Sequence, residues 1–130
     1  MNILEVEFLD LKGLCEDTII LVTSDHGEML GDHGLVSKFG FHDQAFHIPM
    51  IIRYPALDGP KGLVIEEFTE NVDVMPTLLD LAGITIPEQC EGNSVRTFLE
   101  GGKPDKWRKT VHWEFDFSDI REKPKKNINK

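Results

Sequence analysis

Leu4, Phe8 and Leu11 recur at the spacing of one helix face, and Gly13 follows where a left-handed residue can end a helix. The first dozen residues are therefore expected to form an amphipathic helix. Residues 18–23, TIILVT, are a β-branched apolar run without alternation, which suits a strand covered on both faces, as in a parallel sheet. From 24 to 46 neither period survives. That stretch is polar and rich in Gly, His and Asp, so it reads as a long irregular excursion with one short helical turn, and such loops often carry function. Pro49 and Pro55 bracket MIIRY, a second short strand, and a turn falls at 58–61. Asp73 stands at the N-cap of a helix whose apolar positions Met75, Leu78, Leu79 and Ala82 follow the i, i+3, i+4, i+7 rule. Pro76 falls in its first turn and Gly83 ends it. Residues 94–99 suit another short helix, closed by Gly101 and Gly102. Val111, Trp113, Phe115 and Phe117 alternate with polar residues, the period of a strand with one face buried against a sheet.

Helices alternating with strands predict an α/β fold: a partial, mostly parallel sheet flanked by helices, with an antiparallel strand at the C-terminal end. Two central strands are too few for a parallel sheet covered on both faces. The pattern is thus expected to be part of a larger domain, divided into a strand-loop-strand portion at 1–57 and helices with the last strand at 58–130.

Composition narrows the partners. With 14 Lys and Arg against 23 Asp and Glu, the net charge of −9 repels nucleic acid and anionic membrane. The basic tail Arg121, Lys123, Lys125, Lys126 and Lys130 reads as a solvated terminus. No apolar run approaches the roughly 20 residues of a membrane span. The acidic start is unlike a secretory signal, and a cytoplasmic location is expected. Cys15 and Cys90 belong to no CxxC pair, which excludes a disulfide scaffold and a cysteine zinc site.

The strand TIILVT runs into SDHGEMLGDHG, so Asp25 and His26 leave the carboxyl end of a strand together, where open α/β sheets place their ligands. A carboxylate beside an imidazole can hold a divalent cation, with Gly27 letting the backbone turn sharply. Lys38, twelve residues after His26, can return from the same excursion with a positive charge for an anion. The same residues also suit a bland turn, capped by Asp25 with His26 half exposed. Among the others, Asp32 and His33 are expected to shape the loop, Asp43 and Gln44 to anchor it, and His47 to make a structural hydrogen bond. Trp107, Trp113, Phe115 and Phe117 are expected to be buried against the sheet, with a substrate cleft or an oligomer contact as the alternative, and Cys90 to be a buried or idle thiol.

The run TIILVTSDHGEMLGDHGLVSKFGFHDQAFHIPMIIRYP resembles the C-terminal metal-binding segment of sulfatases in the alkaline-phosphatase superfamily. FTENVDVMPTLLDLAG is similar to the next block of that family, and WRKTVHWEFDF to phosphonate monoester hydrolases. The resemblance implies that Asp25 and His26 are ligands of an active-site metal, that Lys38 contacts the sulfuryl or phosphonyl oxygens and the nucleophile, and that His42 faces the substrate pocket. It leaves manganese, calcium, magnesium and zinc open. It implies a hydrolase of sulfate, phosphonate or phosphate esters that uses formylglycine made from a C/S-x-P-x-R motif, and a homo-oligomer in the full-length protein. Neither cysteine here fits that motif, since Cys15 precedes Glu16-Asp17 and Cys90 precedes Glu91-Gly92. The nucleophile-bearing portion is therefore expected to lie upstream, outside this sequence, and the isolated chain to be inactive. A catalytically dead binding module and a phosphodiesterase of the same superfamily are the rival readings.

Overall fold

The computed structural model describes residues 3–114. Phe115 and Phe117 of the expected last strand, and the basic tail, lie outside them. Helix α1, Ile3–Leu11, stops as its glycine dictates: Gly13 sits at φ +65°, and the Leu14 amide donates back to the Leu9 carbonyl at 2.9 Å. Leu11 and Phe8, expected on a packed face, are exposed. After a 3-10 turn at Cys15–Asp17 comes strand β1, Ile20–Thr23. A second 3-10 turn, Asp32–Gly34, and the single-turn helix α2, Asp43–Phe46, interrupt the excursion that leads to strand β2, Met50–Arg53.

The two strands pair antiparallel, with Ile20 opposite Arg53 and Thr23 opposite Met50. The parallel arrangement expected from the unalternating TIILVT run is not seen among the described residues. A parallel return requires a crossover, usually an α-helix packed on the sheet, and the excursion contains only single helical turns. Nor is β1 covered on both faces: all four of its residues are half-buried, and Ile51 of β2 is 60% exposed. Arg53 holds the strand end in place, donating to the Cys15 carbonyl at 2.6 Å and to Glu16 at 3.1 Å.

Helix α3, Val74–Leu81, follows a 3-10 turn at Asn71–Asp73, and helix α4, Arg96–Leu99, packs against it. Gly83 ends α3 at φ +71°. The face that α3 buries differs from expectation. Met75 and Ala82 point to solvent, while Asp73, Pro76, Thr77 and Leu81 are buried. The reason is polar: the Thr77 hydroxyl accepts the Val95 amide at 3.0 Å, which turns the 73-77-81 stripe toward α4. Asp73 does occupy the expected N-cap position, but its carboxylate does not cap α3. It takes the Glu70 amide and the Asn93 amide, each at 2.8 Å, and both terminal nitrogens of Arg108. Gly92 permits this closure, because a Cβ there would lie 2.0 Å from the Val72 carbonyl oxygen.

Val111 to Glu114 form no strand, since no neighbouring strand pairs with them among the described residues. Trp113 is half exposed and stacks on Phe46, with ring centroids 5.6 Å apart, instead of lying against the sheet. Trp107 meets Phe98 edge-on at 4.8 Å and donates to the Phe68 carbonyl at 2.8 Å.

Burial by itself would push the Asp73 carboxyl up, but Arg108 and the Asn93 and Glu70 amides hold it below its ordinary value of 3.8. The group therefore adds stability above the unfolded-state value that is lost as pH falls through the lower folded one. Arg108→Ala should cost about 3–5 kcal/mol in urea unfolding, because it strands a buried charge. Asp73→Asn should flatten the acid limb of the stability curve below about pH 4.

Candidate functional site

At the end of β1 the backbone turns on Ser24, whose hydroxyl donates to the His26 carbonyl at 2.6 Å. Asp25 is thereby spared the capping role, and its side chain is 84% exposed. The His26 ring is fixed from the other side: Nδ1 lies 2.6 Å from the Gly27 carbonyl. A carbonyl only accepts, so Nδ1 carries a proton; in the neutral ring the Nε2 lone pair then lies on the Asp25 side, and in the charged ring Nε2–H faces the carboxylate. Nε2 and Asp25 Oδ2 are 3.5 Å apart. Two donors on one cation keep about that separation when each bond is roughly 2.0–2.4 Å. A metal-bound imidazole also commonly donates its other N–H to a carbonyl, so these two residues fit a divalent cation. Among the described residues no group of three or more His, Cys, Asp or Glu gathers.

Gly27 contributes close approach more than a turn, since its φ is not left-handed. Its amide donates to the Ala45 carbonyl at 2.7 Å and the Glu28 amide to Gln44 at 3.0 Å, so the start of the excursion is bonded to helix α2 near its end. A Cβ at Gly27 would lie 2.0 Å from the Gln44 carbonyl oxygen. Between these points the loop closes on itself. Met29, fully buried, donates its amide to the Ser37 carbonyl at 2.8 Å, and Lys38 follows at once. Leu30, His33 and Ser37 take positive φ values of 50°, 55° and 62°. Each such conformation costs on the order of 1–2 kcal/mol, and the Met29 anchor and the loop's internal hydrogen bonds offset it.

That closure brings Lys38 into electrostatic reach of Asp25. Desolvation works the Asp25 carboxyl upward, but the charged form of His26, the adjacent amides and the Lys38 ammonium together hold it below 3.8. Asp25 and His26 are thus in contact, and Lys38 acts on Asp25 through its charge without a direct contact. His42 does not join them by any contact: its ring stacks on His33, with centroids 4.2 Å apart and planes 12° from parallel. His33 is thus occupied by His42, and Asp43 opens helix α2. The His47 side chain is exposed and, among the described residues, makes no hydrogen bond of the kind expected.

An open groove of about 1610 Å³ lies beside Asp25, its wall including Phe46, Ile51, Val64, Phe68 and Trp113. Sequence reasoning missed Asn71, whose amide reaches the carbonyls of Ser24 and Asp25 at 3.1 and 3.3 Å. Nothing local signals a partner 46 residues away. The Ser24 turn, by contrast, was open to recognition from its i to i+2 spacing.

Residues 31–127 match the family model described as N-sulphoglucosamine sulphohydrolase, C-terminal. The chain is 45% identical over 113 residues to the multifunctional alkaline phosphatase superfamily protein PehA of Trinickia caryophylli, covering 87% of this chain and 22% of that protein. It is 39% identical over 109 residues to an arylsulfatase of Clostridium perfringens, covering 82% of this chain and 22% of the arylsulfatase. The solved phosphonate monoester hydrolase of Agrobacterium radiobacter superimposes with a TM-score of 0.83 at 42% identity, over 91% of this chain and 23% of that one. The chain therefore spans a little over a fifth of the length of these relatives.

Gly27→Ala should separate the excursion from α2 and cost about 1–3 kcal/mol. Amide exchange would show it, through lost protection at Gly27 and Glu28 with β1 unaffected.

Proposed function

Since this chain belongs to the sulfatase family, matching its C-terminal segment, we propose that it is the C-terminal portion of a metal-dependent hydrolase of sulfate, phosphonate or phosphate esters. One observation carries the reading: the 3.5 Å convergence of Asp25 Oδ2 and His26 Nε2, with the Lys38 charge acting on the same carboxylate. In this reading Asp25 and His26 hold a divalent cation, manganese, calcium, magnesium or zinc. The cation would supply Lewis-acid stabilisation of the charge that builds on the non-bridging ester oxygens. Lys38 faces the same oxygens as a fixed positive charge, able to stabilise what develops there in the transition state. His42, held by its stack on His33, contributes a ring to the outer part of the substrate pocket.

The chain's own residues supply ligands and a cation for the anion, but not a nucleophile. The proposal assigns the formylglycine and the remaining acidic ligands to an upstream portion, which would also extend the two-stranded sheet into a larger, mostly parallel one. The half-exposed β1 and the exposed Ile51 support that extension, as apolar strand faces gain from being covered. Among the described residues no helix is long and apolar enough to cross a membrane. Cytoplasmic residence belongs to the same proposal.

Calorimetry on the 130-residue chain should show weak, one-to-one binding of manganese or calcium in the millimolar range, absent in Asp25→Ala. No binding at such concentrations would leave the fold without its proposed chemistry. The isolated chain should give no turnover of an aryl sulfate or a phenylphosphonate ester, and measurable turnover would refute its dependence on an upstream nucleophile.

A further inference from the structure

Asn71 is exposed and belongs to the second half of the chain, yet its side-chain amide touches the one stretch of backbone that carries both candidate cation ligands. The Ser24 and Asp25 carbonyls can only accept, so Nδ2 must face them and donates one proton to each. Those two carbonyls belong to the peptide planes on either side of the Asp25 Cα. Fixing both planes fixes φ and ψ of Asp25, and with them the direction in which the Asp25 side chain leaves the backbone and the place of the His26 Cα, while the Ser24 hydroxyl holds the His26 carbonyl beyond it. The clamp is itself rigidly mounted. Asn71 opens the 3-10 turn Asn71–Asp73, and the fully buried Asp73 is held by Arg108 and by the Glu70 and Asn93 amides.

We infer that Asn71 is a positioning residue for the Asp25-His26 pair, transmitting the rigidity of the buried Asp73 network to the ligands from 46 residues away. This rests on the cation reading above, but the clamp is a property of the metal-free chain and is tested separately from it. Outer-shell partners that orient metal ligands typically change metal affinity by about 10–100-fold when removed. Because Asn71 is exposed and none of its described contacts is in the core, its replacement should leave the fold standing.

The test is solution NMR on the 130-residue chain with manganese chloride as probe. In the metal-free parent, scalar coupling across the hydrogen bond should link the Asn71 side-chain nitrogen to the Ser24 or Asp25 carbonyl carbon. In Asn71→Ala both carbonyl resonances should move, with the Asn93 amide and the thermal midpoint unchanged. Manganese broadening of the Asp25 and His26 signals should then require about 10–100-fold more metal than in the parent. Missing coupling together with unmoved carbonyl resonances would overturn the clamp, and a manganese affinity within twofold of the parent would overturn its role in positioning. If Asn71→Ala lowers the thermal midpoint appreciably, the parent coupling and the milder Asn71→Gln, which keeps the amide, decide instead. A parent chain whose Asp25 and His26 signals ignore manganese would sink the cation reading, while the carbonyl shifts still judged the clamp.

Discussion

A single buried carboxylate organises the second half of this chain. Asp73 has no exposure to water and accepts four hydrogen bonds, from the Glu70 amide, the Asn93 amide and two Arg108 nitrogens. An unpaired charge at that depth would be prohibitive, so the three segments it joins must arrive together or not at all. Arg108 is committed further by its contact with Glu70 at 3.0 Å and by lying over the Trp107 ring. Trp107 in turn packs on Phe98, so the polar hub and the small apolar core between α3 and α4 share a boundary.

The first half obeys a different constraint, the closing of a long loop. The excursion after β1 is held by two crossings, Gly27 and Glu28 on α2 and Met29 on Ser37, and three non-glycine residues accept left-handed backbone to make it fit. Strain of this kind persists only where surrounding contacts over-determine the path. Here the path has a chemical consequence. It brings the Lys38 ammonium within electrostatic reach of the Asp25 carboxylate, which lies beside an imidazole held by the Gly27 carbonyl.

Among the described residues a broad apolar surface is left uncovered. Val64 is 80% exposed and Ile51 60%, while Phe68, Val72 and Met75 are each more than half exposed. The buried apolar side chains among the described residues are Cys15, Met29, Ala45, Pro76, Leu81, Val95 and Phe98. Exposed apolar area on this scale usually marks a contact surface. It agrees with a chain that matches a little over a fifth of the relatives it resembles.

The amino-acid order by itself determined whatever short-range sterics decide. Gly13 and Gly83 end their helices in the left-handed region, the TIILVT and MIIRY runs contain the strands Ile20–Thr23 and Met50–Arg53, and Asp25 and His26 are neighbours because the chain makes them so. The sulfatase likeness was legible for the same reason, since the residues that carry it are contiguous. Strand direction, the buried face of α3, the partner of Asp73, the return of Lys38 and the grip of Asn71 were decided only by tertiary structure. Each depends on which distant groups become buried together. A Thr77 hydroxyl that must satisfy the Val95 amide overrides the apolar stripe Met75-Leu78-Leu79-Ala82, because leaving a buried amide unpaired costs more than exposing a methionine. No local period records that comparison.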